Sequence, residues 1–373
     1  MRINSVFAAA LLLSTAASTP AASQQRGSWE LDVDDTDNRI QLQFLDYSEG
    51  RRSGRTGFTV DLSQLQGLSA AQLQGGARQA RFRLVRDAGT FNFDGRVGNG
   101  HGEGTFEFVP DTRFAGELAR RGYDRPSGDE QFLLAMHDIG YAVVDELQKQ
   151  AYTRPTIDDL VTMGMHGARF DFLRGLGDLG YRLRSTDRLV ELRDHGVTPA
   201  FIKSFLDAGY PRMDIDDLQE LRDHGVNQTY LQSLRDAGYA RLPVDKLLEL
   251  RDHGVNATFI QGLADAGFTK LSLDDLVNAR DHGVTPSYAD GFRRLGFTRM
   301  SLDDLVNARD HGVSPSYAEA FRKLGYTSLS IDDLIRLRDH GVSAEFAARV
   351  QRVRGRSVSI GEIIEARDRG DRY

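Results

Sequence analysis

A repeat of fixed length constrains the fold of this chain more than any other feature. The run Leu-Arg-Asp-His-Gly-Val stands at residues 192–197 and returns at 221–226, 250–255 and 337–342, with Ala for the leading Leu at 279–284 and 308–313. The histidines measure the period: His137, His166, His195, His224, His253, His282, His311 and His340 are each 29 residues from the next. Eight of the nine histidines therefore belong to one pattern. The phase extends further, since Arg367-Asp368 lies 29 residues after Arg338-Asp339 and residues 109–123 align with the second half of a unit. Such a period implies stacked supersecondary units, none of which buries its apolar face alone.

The unit over residues 272–297 shows the local grammar. Ser272 is placed as a helix N-cap with Asp275 at the third helical position, and first-turn carboxylates complement the helix dipole. Leu271 and Leu276 hold the hydrophobic-staple positions, while Leu273, Leu276, Val277 and Ala279 form the apolar face. Gly283 stops the helix, and Thr285-Pro286 starts a second one carrying Tyr288, Phe292 and Leu295 on one side and closing at Gly296. Other units keep these jobs. Thr198-Pro199, Ser314-Pro315, Asn227, Asn256 and Ser343 open the second helix, and Phe172, Phe201, Tyr230, Phe259, Tyr317 and Phe346 fill the Tyr288 position. Each helix spans about ten residues and is too short to be stable alone. The pattern predicts eight helix pairs, beginning near residues 127, 156, 185, 214, 243, 272, 301 and 330, with half a pair at each end. The ends depart as capping repeats do: Met136-His137-Asp138 and Met165-His166-Gly167 lack the Arg-Asp pair, and Arg369 replaces the histidine. The near-identical units at 272 and 301 suggest growth by duplication.

Residues 28–109 follow a different period. Alternation at 39–44, 58–62, 80–84 and 105–109, with further segments at 28–33 and 90–94, predicts about six mainly antiparallel strands; residues 69–74 suit a short helix. The glycine-rich run at 95–104 lacks the strand-then-helix setting of a dinucleotide loop and reads as a hairpin whose glycines supply positive φ angles, with His101 an exposed loop residue. At the N-terminus, Arg2, an apolar run over 6–13 and Ala21-Ala22-Ser23 describe a secretory signal cleaved near Ser23. No later segment approaches the length of a membrane span. Without cysteine there are no disulfides and no thiolate chemistry, and a net charge of -7 disfavours a general nucleic-acid-binding role.

The recurring polar set is Arg193-Asp194-His195-Gly196, Arg222-Asp223-His224-Gly225, Arg251-Asp252-His253-Gly254, Arg280-Asp281-His282-Gly283, Arg309-Asp310-His311-Gly312 and Arg338-Asp339-His340-Gly341. As metal ligands these histidines are too far apart, because packed helices lie ~8–10 Å from each other while zinc ligands stand ~2 Å from the ion. As catalytic groups they lack the single asymmetric constellation that chemistry requires, and neither a zincin motif, a P-loop nor a Gly-x-Ser-x-Gly elbow occurs. The structural reading remains: Arg and His compensate helix C-terminal carbonyls, and Asp pairs with an Arg of the same or the adjacent unit. Variable positions such as Asn278, Glu249 and Arg336 are expected on the exposed face.

The sequence Leu-Ser-x-Asp-Asp-Leu-x-x-Leu-Arg-Asp-His-Gly-Val-Thr-Pro-x-Tyr/Phe with its Leu/Ala-Gly-Tyr/Phe close resembles the repeats of a group of bacterial secreted proteins, over about residues 110–370. It is also similar to extracytoplasmic repeats attached to some membrane metallopeptidases of the β-lactamase-sensor type. The resemblance implies an envelope setting and no assigned activity; the peptidase zinc motif is absent from this sequence.

The expected architecture is α+β by domains: a signal peptide at 1–23, a small antiparallel β domain at 24–109 and an α-solenoid of 29-residue helix-turn-helix repeats at 110–373. The expected function is a non-enzymatic, periplasmic or secreted scaffold for a protein or peptide of the cell envelope, with no cofactor, no nucleic-acid partner and no membrane span after signal cleavage. The alternative is a metal- or pH-responsive sensor built on the repeated Asp-His positions.

Overall fold

The computed structural model describes residues 25–34, 39–49 and 52–371; the expected export signal at 1–23 lies outside them. Strands β1 (Arg26–Asp34), β2 (Arg39–Glu49), β3 (Arg52–Asp61) and β4 (Leu65–Gln66) precede a short helix α1 (Ala70–Gln74), and β5 (Arg78–Arg86), β6 (Gly89–Gly98) and β7 (His101–Pro110) follow it. They form one antiparallel sheet in the order β3-β2-β1-β7-β6-β5-β4. Seven strands stand where about six were expected, because β4 is two residues long and offers no alternation to detect. Phe44 on β2 lies 5.1 Å from Phe91 on β6 although β1 and β7 stand between them, so the sheet curls around a shared aromatic core.

Trp29 is fully buried in that core, its indole N–H donating to the Thr105 carbonyl at 3.0 Å. The glycine-rich run is the β6–β7 hairpin, turning at Asn99-Gly100, where both φ angles are positive. Most of its other glycines do a different job from the one expected. A Cβ on Gly95 would stand 2.1 Å from the Glu103 carbonyl and 2.8 Å from the Trp29 ring, and one on Gly102 would stand 3.0 Å from that ring. These positions make room for an indole and for close strand approach. His101 is the first residue of β7, exposed, with its imidazole against the Asp32 carboxylate.

Eighteen helices follow among the described residues. A half pair, α2 (Phe114–Arg120), leads into α3 (Gly128–Met136) and α4 (Tyr141–Lys149), α5 (Ile157–Met165) and α6 (Phe170–Asp178), and α7 (Thr186–Asp194) and α8 (Pro199–Asp207). Then come α9 (Ile215–Asp223) and α10 (Gln228–Asp236), α11 (Val244–Asp252) and α12 (Ala257–Asp265), and α13 (Leu273–Asp281) and α14 (Pro286–Arg294). The last are α15 (Leu302–Asp310) and α16 (Pro315–Lys323), α17 (Ile331–Asp339) and α18 (Ala344–Arg354), and a closing half pair α19 (Ile360–Asp368). The fold is thus α+β with a helical repeat region. None of these helices is long and apolar enough to cross a membrane.

The chain forms two compact units, one ending at Asp194 and the other beginning at His195. Within each, first helices pack on first helices and second on second, as in α3 on α5 and α4 on α6, or α13 on α15 and α12 on α14. The caps explain the boundaries. Ser272 accepts from the Asp275 N–H at 3.0 Å while Asp275 accepts from the Ser272 N–H at 3.1 Å, a reciprocal box repeated at Ser301 and Ser330. In the first unit, Phe132 of α3 enters the sheet's core, fully buried, with ring centroids 5.7 Å from Phe91, 6.1 Å from Phe106 and 5.5 Å from Phe108. The change of secondary structure at Pro110 is therefore not a break in packing.

Candidate functional site

The recurring Arg-Asp-His-Gly-Val set sits where each first helix ends and the second begins, and its members join one repeat to the next. The imidazole Nδ1 of His166 lies 2.7 Å from an Asp194 carboxylate oxygen, and in the second unit His195, His224, His253, His282, His311 and His340 meet Asp223, Asp252, Asp281, Asp310, Asp339 and Asp368 at 2.5–2.9 Å. With the carboxylate as acceptor, Nδ1 carries the proton. The expected Asp–Arg pairing is not what forms. Each arginine instead lies over the aromatic ring that opens the preceding repeat's second helix: Arg193 over Phe172, then Arg222 over Phe201, Arg251 over Tyr230, Arg280 over Phe259, Arg309 over Tyr288, Arg338 over Tyr317 and Arg367 over Phe346, at 5.2–5.6 Å. The reason is direction: Asp and His are adjacent on the helix, so one reaches the previous unit and the other the next.

The remaining members are structural as well. Gly196, Gly225, Gly254, Gly283, Gly312 and Gly341 all adopt positive φ, ending the helix with a left-handed residue. Their open side faces the next repeat's guanidinium, and Arg251 Nε donates to the His224 carbonyl at 3.3 Å. Each valine is buried, and its carbonyl accepts from the preceding repeat's tyrosine where there is one: Tyr230 to Val255, Tyr288 to Val313 and Tyr317 to Val342, at 2.7–2.9 Å. Burial pushes those three phenols up to about 12, so they remain donors across the physiological range. The hydrogen bond to Asp252 raises His224 above its ordinary value. Among the described residues no group of three or more His, Asp or Glu side chains is arranged to hold a metal ion. Of the variable positions, Asn278 and Arg336 are exposed, while Glu249 is half-buried and paired with Lys246 at 2.7 Å.

A different cluster, not singled out in the sequence, occupies the first unit where the sheet meets α3 and α4. Arg86 ends β5 and Asp87 follows it in the turn, and they grip the two sides of the α3–α4 corner. Arg86 Nη1 lies 2.8 Å from Asp138, and Asp87 accepts the Tyr141 N–H at 2.8 Å, capping α4 in place of the Ser, Thr or Asn found in later repeats. A cavity of about 580 Å³ opens there, lined by Arg86, Asp87, Asp138 and Tyr141 together with Asp111, Arg113, Glu117 and Arg121. Asp138 stands at φ +60° where later repeats carry the left-handed glycine, and Arg169 stands where they carry the second-helix cap. These departures from the repeat's own grammar were the legible signal. Burial lowers both Arg86 and Arg169, and Asp138 opposes the shift in each. Burial and then Arg169 push neighbouring His137 down to about 4, and no carboxylate takes the ladder position in the next unit because Met165 occupies it.

No protein-family model matches the chain, and a search of curated proteins found no match to it.

Proposed function

We propose that this protein is an exported, non-enzymatic scaffold that holds a protein or peptide of the cell envelope along its helical repeats. The observation that carries the reading is the use of the recurring motif: arginine, aspartate, histidine and valine contact neighbouring repeats, and glycine ends the helix, so the motif builds length rather than a reaction centre. Arrays of short helix pairs present extended surfaces suited to such partners. Export rests on Arg2, the apolar run at 6–13 and Ala21-Ala22-Ser23.

Shortening the array by one unit tests this. Deleting residues 272–300 joins Leu271 to Ser301 and brings His253 opposite Asp310 and Phe259 under Arg309, repeating contacts the chain already makes. The shortened chain is expected to fold, with a lower unfolding enthalpy, in line with roughly 0.7 kcal/mol for each residue removed. In cross-linked capture from envelope extract it should retain the full chain's partner at several-fold weaker affinity. A partner held equally well by both chains would contradict an extended contact through these repeats, and a hydrolytic activity found in the full chain would contradict the non-enzymatic reading.

A further inference from the structure

We propose that the last second helix of the array, where Arg349, Arg352, Arg354 and Arg356 flank the exposed Val353, docks on an anionic phospholipid surface. The inference concerns the end of the array and does not depend on what its length holds. Helix α18 packs on α16 and α19, and no second helix follows it among the described residues. Elsewhere in this unit one second helix receives the start of the next at a small residue: a Cβ on Gly262 would stand 2.6 Å from Pro286, and one on Gly291 2.7 Å from Pro315. In α18 that position is Arg349, whose guanidinium lies 5.7 Å from the centroid of the Phe346 ring, so no further repeat can seat there. Val353 is left 67% exposed, whereas its counterparts Ala266, Leu295 and Leu324 are buried or half-buried.

The charge of this end is set by what α18 lacks. The five second helices before it in the second unit each carry a carboxylate on the outer face, at Asp207, Asp236, Asp265, Asp290 and Glu319, bonded one turn away to Lys203, Gln232, Gln261, Arg294 and Lys323 at 2.6–2.9 Å. Helix α18 has Ala348 and Arg352 at those two positions. Residues 346–358 hold four arginines and no carboxylate, in a chain whose net charge is -7. Arg352 and Arg356 are exposed and pair with no carboxylate among the described residues. The acids nearby are engaged: Asp371 by Arg354 at 3.3 Å and by Arg369 at 3.2 Å, and Glu362 by the Ser359 N–H at 2.9 Å, while Glu345 lies one turn before Arg349. An aliphatic side chain favours an apolar neighbour and a group of guanidiniums an anionic one. The headgroup boundary of an anionic bilayer supplies both, with arginine stems along the apolar layer and their heads among the phosphates. A second copy does not fit, because a two-fold contact between these ends sets arginine against arginine.

The test is flotation of residues 24–373, which contain every described residue and omit the apolar run at 6–13, with lipid vesicles. One set is phosphatidylcholine alone and the other equal parts phosphatidylcholine and phosphatidylglycerol. Binding is expected to the anionic vesicles only, and it should fall as sodium chloride is raised. Arg352→Gln and Arg356→Gln should each weaken it about fivefold, equivalent to the ~1 kcal/mol of a basic side chain at an anionic surface. Val353→Ser should weaken it several-fold with the salt dependence unchanged, since it removes apolar contact and no charge. All three side chains are exposed, so the variants should keep the wild-type melting temperature. Lys203→Gln, which removes a cation already matched by Asp207, should bind as the wild type does. Absence of binding to the anionic vesicles at low salt would overturn the proposal, as would an equal loss in Lys203→Gln or an undiminished response when Arg352 and Arg356 are both replaced. Binding to soluble polyglutamate without binding to vesicles would give this end to an acidic protein and would overturn it too.

Discussion

Replacing Phe132 by Ala is expected to destabilise the first unit by about 3–5 kcal/mol, the range for deleting a fully buried aromatic ring. The ring belongs to a helix yet completes the core of the sheet, touching Phe91 on β6 and Phe106 and Phe108 on β7. Neighbours on a paired sheet have little freedom to collapse into the space, which places the cost toward the upper end. Trp29, the only tryptophan and fully buried among the same rings, reports the transition directly. Guanidinium unfolding followed by Trp29 fluorescence should show the midpoint fall with helix and sheet signals lost together. A loss below about 1 kcal/mol would mean that α3 packs on a sheet already closed without it.

The second large effect is a loss of stability in acid that is traced to one residue. His137 in the folded chain stands at about 4 against an ordinary 6.5, so folding favours its neutral form. Its contribution is complete above pH 6.5 and disappears as pH falls through 4, which amounts to about 3 kcal/mol at ~1.4 kcal/mol for each pH unit. His224 has the opposite sign: raised by Asp252, its contribution is present below 6.5 and is lost as pH rises through the raised value. Chemical denaturation at several pH values between 7.5 and 4 should show His137→Gln losing markedly less stability than the wild type. Parallel curves for the two proteins would place the acid sensitivity elsewhere.

The repeat was legible because every turn, cap and apolar position recurs at one interval, so local propensity and burial point to the same helix pairs. Ser272 with Asp275, Gly283 and Thr285-Pro286 specify their boundaries through chemistry internal to a few residues. What the motif does between repeats was less legible. Asp281 has an arginine beside it in sequence, yet its partner is His253, 28 residues away, and choosing between them needs the stacking geometry. The glycines at 95 and 102 carried a similar ambiguity: hairpin glycines suggest backbone angles, whereas these two clear space for Trp29 from another strand. The Arg86–Asp138 pair was hidden for the same reason, since one member is contributed by the sheet.

The claim that the recurring motif couples neighbouring repeats is tested most directly by a double-mutant cycle on His253 and Asp281. The pair is 2.5 Å apart with side chains 38% and 45% exposed, so the expected coupling is about 0.2–1 kcal/mol, and His253→Ala should lower the melting temperature while partner binding persists. Zero coupling and unchanged stability, together with loss of partner binding in His253→Ala, would show that the histidine serves a ligand and would contradict the account.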